Sequence, residues 1–85
     1  MSGPTQVAYA ARAVRDYADL SPARQAKFKK QLGFLLVDLR HPSLRAKKYD
    51  EARDIWQARV DDNFRFYFRI AGDTYEILSI IPHPK

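Results

Sequence analysis

The 85 residues predict an α+β fold: two N-terminal helices packed on one face of an antiparallel sheet, which combines a short N-terminal strand with a three-stranded C-terminal meander. Two observations carry the prediction. In the first half, apolar residues recur every three or four positions, the period of a helix with one buried face. In the second half they alternate, the period of a strand.

The elements follow in chain order. Gln6 to Tyr9 fits a short first strand. Ala10, Val14, Tyr17 and Ala18 fall at helical spacing and predict a helix that ends near Leu20. Ser21-Pro22 starts a second helix, because the serine oxygen suits a free N–H of the first turn and proline has no N–H to lose there. Phe28, Leu32, Leu35, Leu36 and Leu39 then form one apolar stripe, with Lys27, Lys30 and Gln31 largely off it. This helix is expected to end near Arg40, before His41-Pro42, and His41 reads as a cap. Gly33 within it reads as a point of close packing, since glycine in a helix otherwise costs about 1 kcal/mol. Residues 55–60, 64–70 and 75–81 alternate aromatic or β-branched side chains with polar ones. Pro82 and Pro84 stop the last strand.

Composition narrows the function. One domain over residues 1–85 is expected, with 46% apolar and 29% charged residues, a balance that folds rather than stays disordered. There is no cysteine, so disulfides and thiolate metal sites are excluded, and two histidines do not make a zinc cluster. The three glycines lie far apart, so no phosphate-cradling glycine loop exists. Polar groups interrupt the first twenty residues and no apolar run reaches bilayer length, so a cytoplasmic protein without membrane contact is expected. A charge of +5 and a pI near 9.7 favour a polyanionic partner. A core this small also favours a protein partner that covers apolar surface.

Register sorts the arginines of "RVDDNFRFYFRI". A three-residue loop, Asp61-Asp62-Asn63, sets Trp56 opposite Phe68, Ala58 opposite Phe66 and Arg59 opposite Arg65, with Asn63 taking the left-handed conformation at its end. A two-residue turn on Gly72-Asp73 sets Ile70 opposite Tyr75, Phe66 opposite Ser79, Arg69 opposite Glu76 and Arg65 opposite Ile80. Arg69 is then a paired, structural residue. Arg59 and Arg65 face each other with like charge, a conflict that a bridging anion or splaying into solvent relieves. Asp61 and Asp62 read as loop residues, Tyr67 as sheet packing, and residue 83 falls across from the hairpin loop.

With "HPSLRAKKYDEARDIWQARV", "NFRFYF" and "IIPHPK" in this order, nearly the whole chain after Thr5 resembles the RelE/ParE superfamily of bacterial toxins from type II toxin–antitoxin pairs. The likeness is greatest to the RelE, YoeB and HigB branch of mRNA interferases. That resemblance implies a translation-inhibiting endoribonuclease, acting on ribosome-bound mRNA without metal or cofactor and neutralised by a cognate antitoxin protein. It implies that Arg65 contacts the scissile phosphate, that Arg59 holds RNA phosphate, and that His83 moves a proton. It also turns the basic loop with Arg45, Lys47 and Lys48 toward RNA. Two positions depart from the pattern: Ala46 stands where YoeB-like toxins carry a glutamate, and Pro84 where several carry a tyrosine. A gyrase-inhibiting ParE-like toxin and a non-catalytic RNA-binding homologue are the alternatives.

The implied chemistry suits these side chains. A ribose 2′-hydroxyl attacks its own 3′-phosphate and expels the next 5′-oxygen, leaving a 2′,3′-cyclic phosphate. Charge grows on the phosphate oxygens, where a guanidinium fork binds it through two N–H groups. Histidine is the residue type whose ordinary pKa lies nearest neutrality, so it suits protonation of the leaving oxygen.

Overall fold

The computed structural model describes residues 3–83. The order is β1 (Gln6–Tyr9), α1 (Ala11–Asp19), α2 (Pro22–Val37), one 3-10 turn (Pro42–Leu44), β2 (Lys47–Asp50), β3 (Ile55–Arg59), β4 (Phe64–Ala71) and β5 (Thr74–Pro82). These five strands form one sheet in the order β1-β5-β4-β3-β2. β1 runs parallel to β5, and the other pairs are antiparallel.

The predicted α+β layering holds, with corrections that follow from physical causes. The sheet is mixed rather than wholly antiparallel, because β1 joins the free edge of the last strand, β5, and runs parallel to it, a pairing that no hairpin connects. β2 is an additional strand in what reads from sequence as a loop. It is short, polar and irregular between Lys48 and Asp50, features that suit a sheet edge and hide it from an apolar-alternation search.

Helix α2 begins as its sequence dictates: Ser21 Oγ accepts from the Arg24 N–H at 3.2 Å, and Pro22 occupies the first turn. It ends at Val37, three residues before Arg40. Phe28 and Leu35 are buried and Leu32 and Leu39 pack beside them, while Leu36 sits at the exposed edge of the stripe. The polar residue Gln31 is buried with the apolar ones. Gly33 is not a packing point, because a Cβ added there meets nothing within 4 Å. In α1 the buried face runs through Ala13 rather than Val14, which is 56% exposed.

The helices cover the sheet face built from Ala58, Phe66, Phe68, Tyr75, Ile77 and Ile80. Phe28 packs edge-on against Phe66, with ring centroids 5.3 Å apart. The β3–β4 register is the expected one, and Gly72 takes φ +60° with no positive φ at Asp73, as a turn with glycine first requires. Asn63, however, is not left-handed. The Asp61 side chain instead closes the loop, accepting from the N–H groups of Asn63 at 2.8 Å and Phe64 at 2.9 Å.

The β4–β5 register holds only near its turn. Phe68 pairs with Ile77, but Tyr67 pairs with Ser79, so Leu78 has no partner. This bulge reverses the later parity: Phe66 faces Ile80, not Ser79, and Arg65 faces Ile81, not Ile80. It brings Ile80 into the core and moves Ser79 to the other face. Beyond Tyr9 the edge of β5 has lost its strand partner, and Asp16 Oδ2 accepts from the Ile80 N–H at 2.9 Å instead.

Candidate functional site

The face of the sheet away from the helices carries Gln57, Arg59, Arg65 and Tyr67. Arg59 and Arg65 are opposed across β3 and β4, as their spacing predicts. Their like charges are already partly relieved by the loop. Arg59 Nη2 pairs with the Asp62 carboxylate, which is 89% exposed and therefore easily displaced. Arg65 Nη1 donates to the carbonyls of Asp61 at 2.7 Å and Phe64 at 3.0 Å. Its Nε and Nη2 take no acceptor among the described residues, which leaves one edge of a fixed guanidinium for an incoming anion.

His83 is tied to the same end of the sheet. Its backbone N–H donates to the Asn63 carbonyl at 2.7 Å. Ile81 lies opposite Arg65 and Pro82 opposite Phe64, so His83 follows directly on the strand end beside Arg65. Pro84 lies outside the described residues.

Arg69 departs from its expected role. It is opposite Glu76, but no ion pair joins them among the described residues, and Arg69 Nε donates to the Arg53 carbonyl at 3.2 Å. The basic segment is divided as well. Lys47 lies opposite Gln57 and is exposed, on the Arg59 face. Lys48 lies opposite Trp56, with Nζ 5.1 Å from the indole centroid and 2.5 Å from Asp54 Oδ1. The Asp54 hydrogen bond, only partly offset by desolvation, raises the Lys48 pKa. Lys48 is thus paired with Asp54, whereas Lys47 has no ion-pair partner among the described residues.

Arg45 follows the 3-10 turn with φ 46°, a left-handed conformation uncommon for a side chain of its kind. It lines a cleft of about 440 Å³ together with Arg59, Lys27, Lys30 and Asp61. The lysines come from α2, where a sequence reading sees only a solvated helix face. Gln31 forms the floor. Its Nε2 donates to the carbonyls of Ser43 and Arg59, both at 2.9 Å, and its Oε1 accepts from Ser43 Oγ at 2.7 Å.

Tyr49 was also hidden from the sequence, although an aromatic beside two lysines is a recognisable signal for nucleic acid. Its ring is 61% exposed and stands edge-on to Tyr67 at 4.9 Å. Tyr67 itself is buried packing, its hydroxyl accepting from Gln57 Nε2 at 2.9 Å. His41 caps the 3-10 turn as expected: Nδ1 accepts from the Ser43 N–H at 3.1 Å, and the ring stacks on Phe34 at 3.9 Å. Ala46 is partly buried against the core and offers no carboxylate at this place. No group of three metal-ligating side chains occurs among the described residues.

No family model and no curated protein sequence matches the chain. Solved structures do. A chain of the archaeal RelE-RelB complex from Pyrococcus horikoshii covers 96% of this chain over 96% of its own, at 18% identity and a TM-score of 0.75. The fold is that of the RelE toxins. The RelBE2 toxin-antitoxin complex from Mycobacterium tuberculosis matches at 26% identity and a TM-score of 0.72, covering 94% of this chain and 99% of that one. The YoeB/ParE toxin from Agrobacterium tumefaciens matches at 17% identity and a TM-score of 0.72, over 93% and 99%. The RelE fold thus accounts for the mixed sheet and its position against two helices. Among the described residues no helix is long and apolar enough to cross a membrane.

Proposed function

We propose that this protein is the toxin of a type II toxin–antitoxin pair, and that it is a metal-independent mRNA endoribonuclease acting on the ribosome in the cytoplasm. One observation carries the reading: Arg59 and Arg65 face each other at the hairpin end to which the His83 backbone is bonded. The resemblance to the mRNA-interferase branch supports the same assignment. Arg65 binds the scissile phosphate and stabilises the charge that grows on its oxygens. Arg59 exchanges the exposed Asp62 for an adjacent phosphate, and Lys47 and Arg45 hold RNA farther along the strand. Lys48, anchored to Asp54, supports the strand that presents Lys47 rather than gripping RNA itself. The 2′-hydroxyl gives up its proton to solvent water and forms the new bond to phosphorus, the bond to the 5′-oxygen breaks, and His83 gives that oxygen its proton.

The deciding experiment is cleavage of a reporter mRNA in a translating extract, with the product ends identified. Wild-type protein should leave 2′,3′-cyclic phosphate ends. Arg65→Lys keeps the charge but loses the planar fork, and should slow cleavage by about 10²-fold or more, the usual effect of removing one transition-state donor. Equal rates for the two proteins would remove Arg65 from the site. No cleavage and no growth arrest by wild-type protein would favour the non-catalytic reading, for which Ala46 is the structural argument.

A further inference from the structure

We infer that the cleft between α2 and the β3–β4 hairpin is a phosphodiester-binding subsite, which carries single-stranded RNA from the Arg59 and Arg65 face onto the flank of the helices. The inference rests on the RNA-binding part of the reading above and adds Lys27 and Lys30 to the interface.

Charge comes first. Lys27, Lys30, Arg45 and Arg59 line the cleft, and Asp61 is its one acidic lining residue. One carboxylate does not balance four cations. Arg24 Nε is bonded to Asp61 at 2.8 Å, while Lys27 Nζ makes a longer ion pair with it at 3.9 Å. Arg45 has no acidic partner within salt-bridge distance among the described residues, and Lys30 faces only the Phe34 ring, at 5.9 Å. Positive charge gathered in a concave site of this kind focuses the field on an anion.

Rigidity comes second. The Gln31 amide joins α2 to the 3-10 turn and to the end of β3 through hydrogen bonds that satisfy both of its ends. The cleft is therefore preorganised. Backbone strain comes third: a left-handed arginine is disfavoured by contact of its Cβ with the following carbonyl, and such residues gather where function holds them. Arg59 belongs to both the cleft and the opposed pair on β3 and β4, so one strand can run through the two. An RNA strand fits this continuity and the arginine forks better than an acidic peptide does.

The test uses full-length protein and a fluorescein-labelled, 2′-O-methyl RNA twelve-mer, which binds but cannot be cleaved. Affinity is followed by anisotropy as salt is raised. Each phosphate contact contributes roughly 0.7 to the slope of log K against log salt for single strands. Lys27→Gln combined with Lys30→Gln should lower the slope by about 1.4, and Arg45→Gly by about 0.7. Arg45→Gly should at the same time raise the melting temperature, because glycine relieves the left-handed strain. Unchanged slopes in variants that remain folded, while wild-type protein binds well, would overturn the subsite and leave the proposed function standing. Failure of wild-type protein to bind the twelve-mer would overturn the subsite, whereas the proposed function falls only if the translating extract shows no cleavage. If the variants lose binding to a poly-glutamate peptide but keep the wild-type RNA slope, the cleft is a protein dock and the inference is wrong.

Discussion

Asp61 accepts three hydrogen bonds, from Arg24 Nε and from the N–H groups of Asn63 and Phe64. Burial raises its pKa, but the Arg24 and backbone hydrogen bonds outweigh that and hold it below the ordinary carboxylate value. The ionised form is thus stabilised by folding. That contribution is present above the unfolded value of about 3.9 and is lost as pH falls through the lower folded one. The melting temperature of wild-type protein should therefore drop more than that of Asp61→Asn between about pH 5 and pH 2. Parallel drops would show that Asp61 is not a stabilising anion. In the proposed mechanism His83 acts in chemistry rather than in folding. His83→Gln should slow cleavage by roughly 10²-fold or more while RNA affinity holds, since glutamine cannot deliver a proton. Replacing the scissile 5′-oxygen with sulfur should largely restore the rate, because a thiolate leaves without one. A mutant equally slow on both substrates is not missing its general acid.

At the scale of elements, α2 has two jobs that its apolar stripe does not reveal. It covers the sheet through Phe28 and Leu35, and through Gln31 it fixes the 3-10 turn and the end of β3. Gln31→Met keeps the volume but leaves the Ser43 and Arg59 carbonyls without their donor. It should cost about 1–3 kcal/mol, read as a lower denaturant midpoint. Gly33→Ala on the same helix should do the opposite. With open space at its Cβ, alanine gains helix propensity at no steric cost, worth about 1 kcal/mol in the same melt. A loss of stability there would mean that Gly33 meets a surface absent from the isolated chain.

The whole molecule is small and basic, and both edge strands of its sheet are short: β1 and β2 have four residues each. It exposes Tyr9 and Val14 beside a shallow apolar depression with Tyr17. Such a protein gains from a partner. Binding by an antitoxin to the folded state alone stabilises it by RT ln(1 + [L]/Kd), about 2.7 kcal/mol at a hundredfold excess over Kd. The product of an adjacent small gene, mixed at saturation, should raise the melting temperature accordingly. No rise at saturation counts against the toxin–antitoxin assignment.

The sequence alone determined the layers, the caps, the first hairpin register and the opposition of Arg59 to Arg65. Each of these is written in local period or loop length, which the geometry of one helix or one hairpin imposes on neighbouring residues. The tertiary structure decided the rest. The bulge at Leu78 depends on which of Ser79 and Ile80 packs better against α1 and α2, a comparison no strand makes by itself. β2 exists because β3 offers it hydrogen bonds, not because "KKYD" prefers to be extended. Lys47 and Lys48 are adjacent and identical in sequence, yet pairing with β3 leaves one on the Arg59 face and binds the other to Asp54. Lys27 and Lys30 lie some thirty residues from Arg59 and reach its cleft only when α2 docks. Period is a property of the chain, whereas a partner across the fold is a property of packing, and this site is built mainly of such partners.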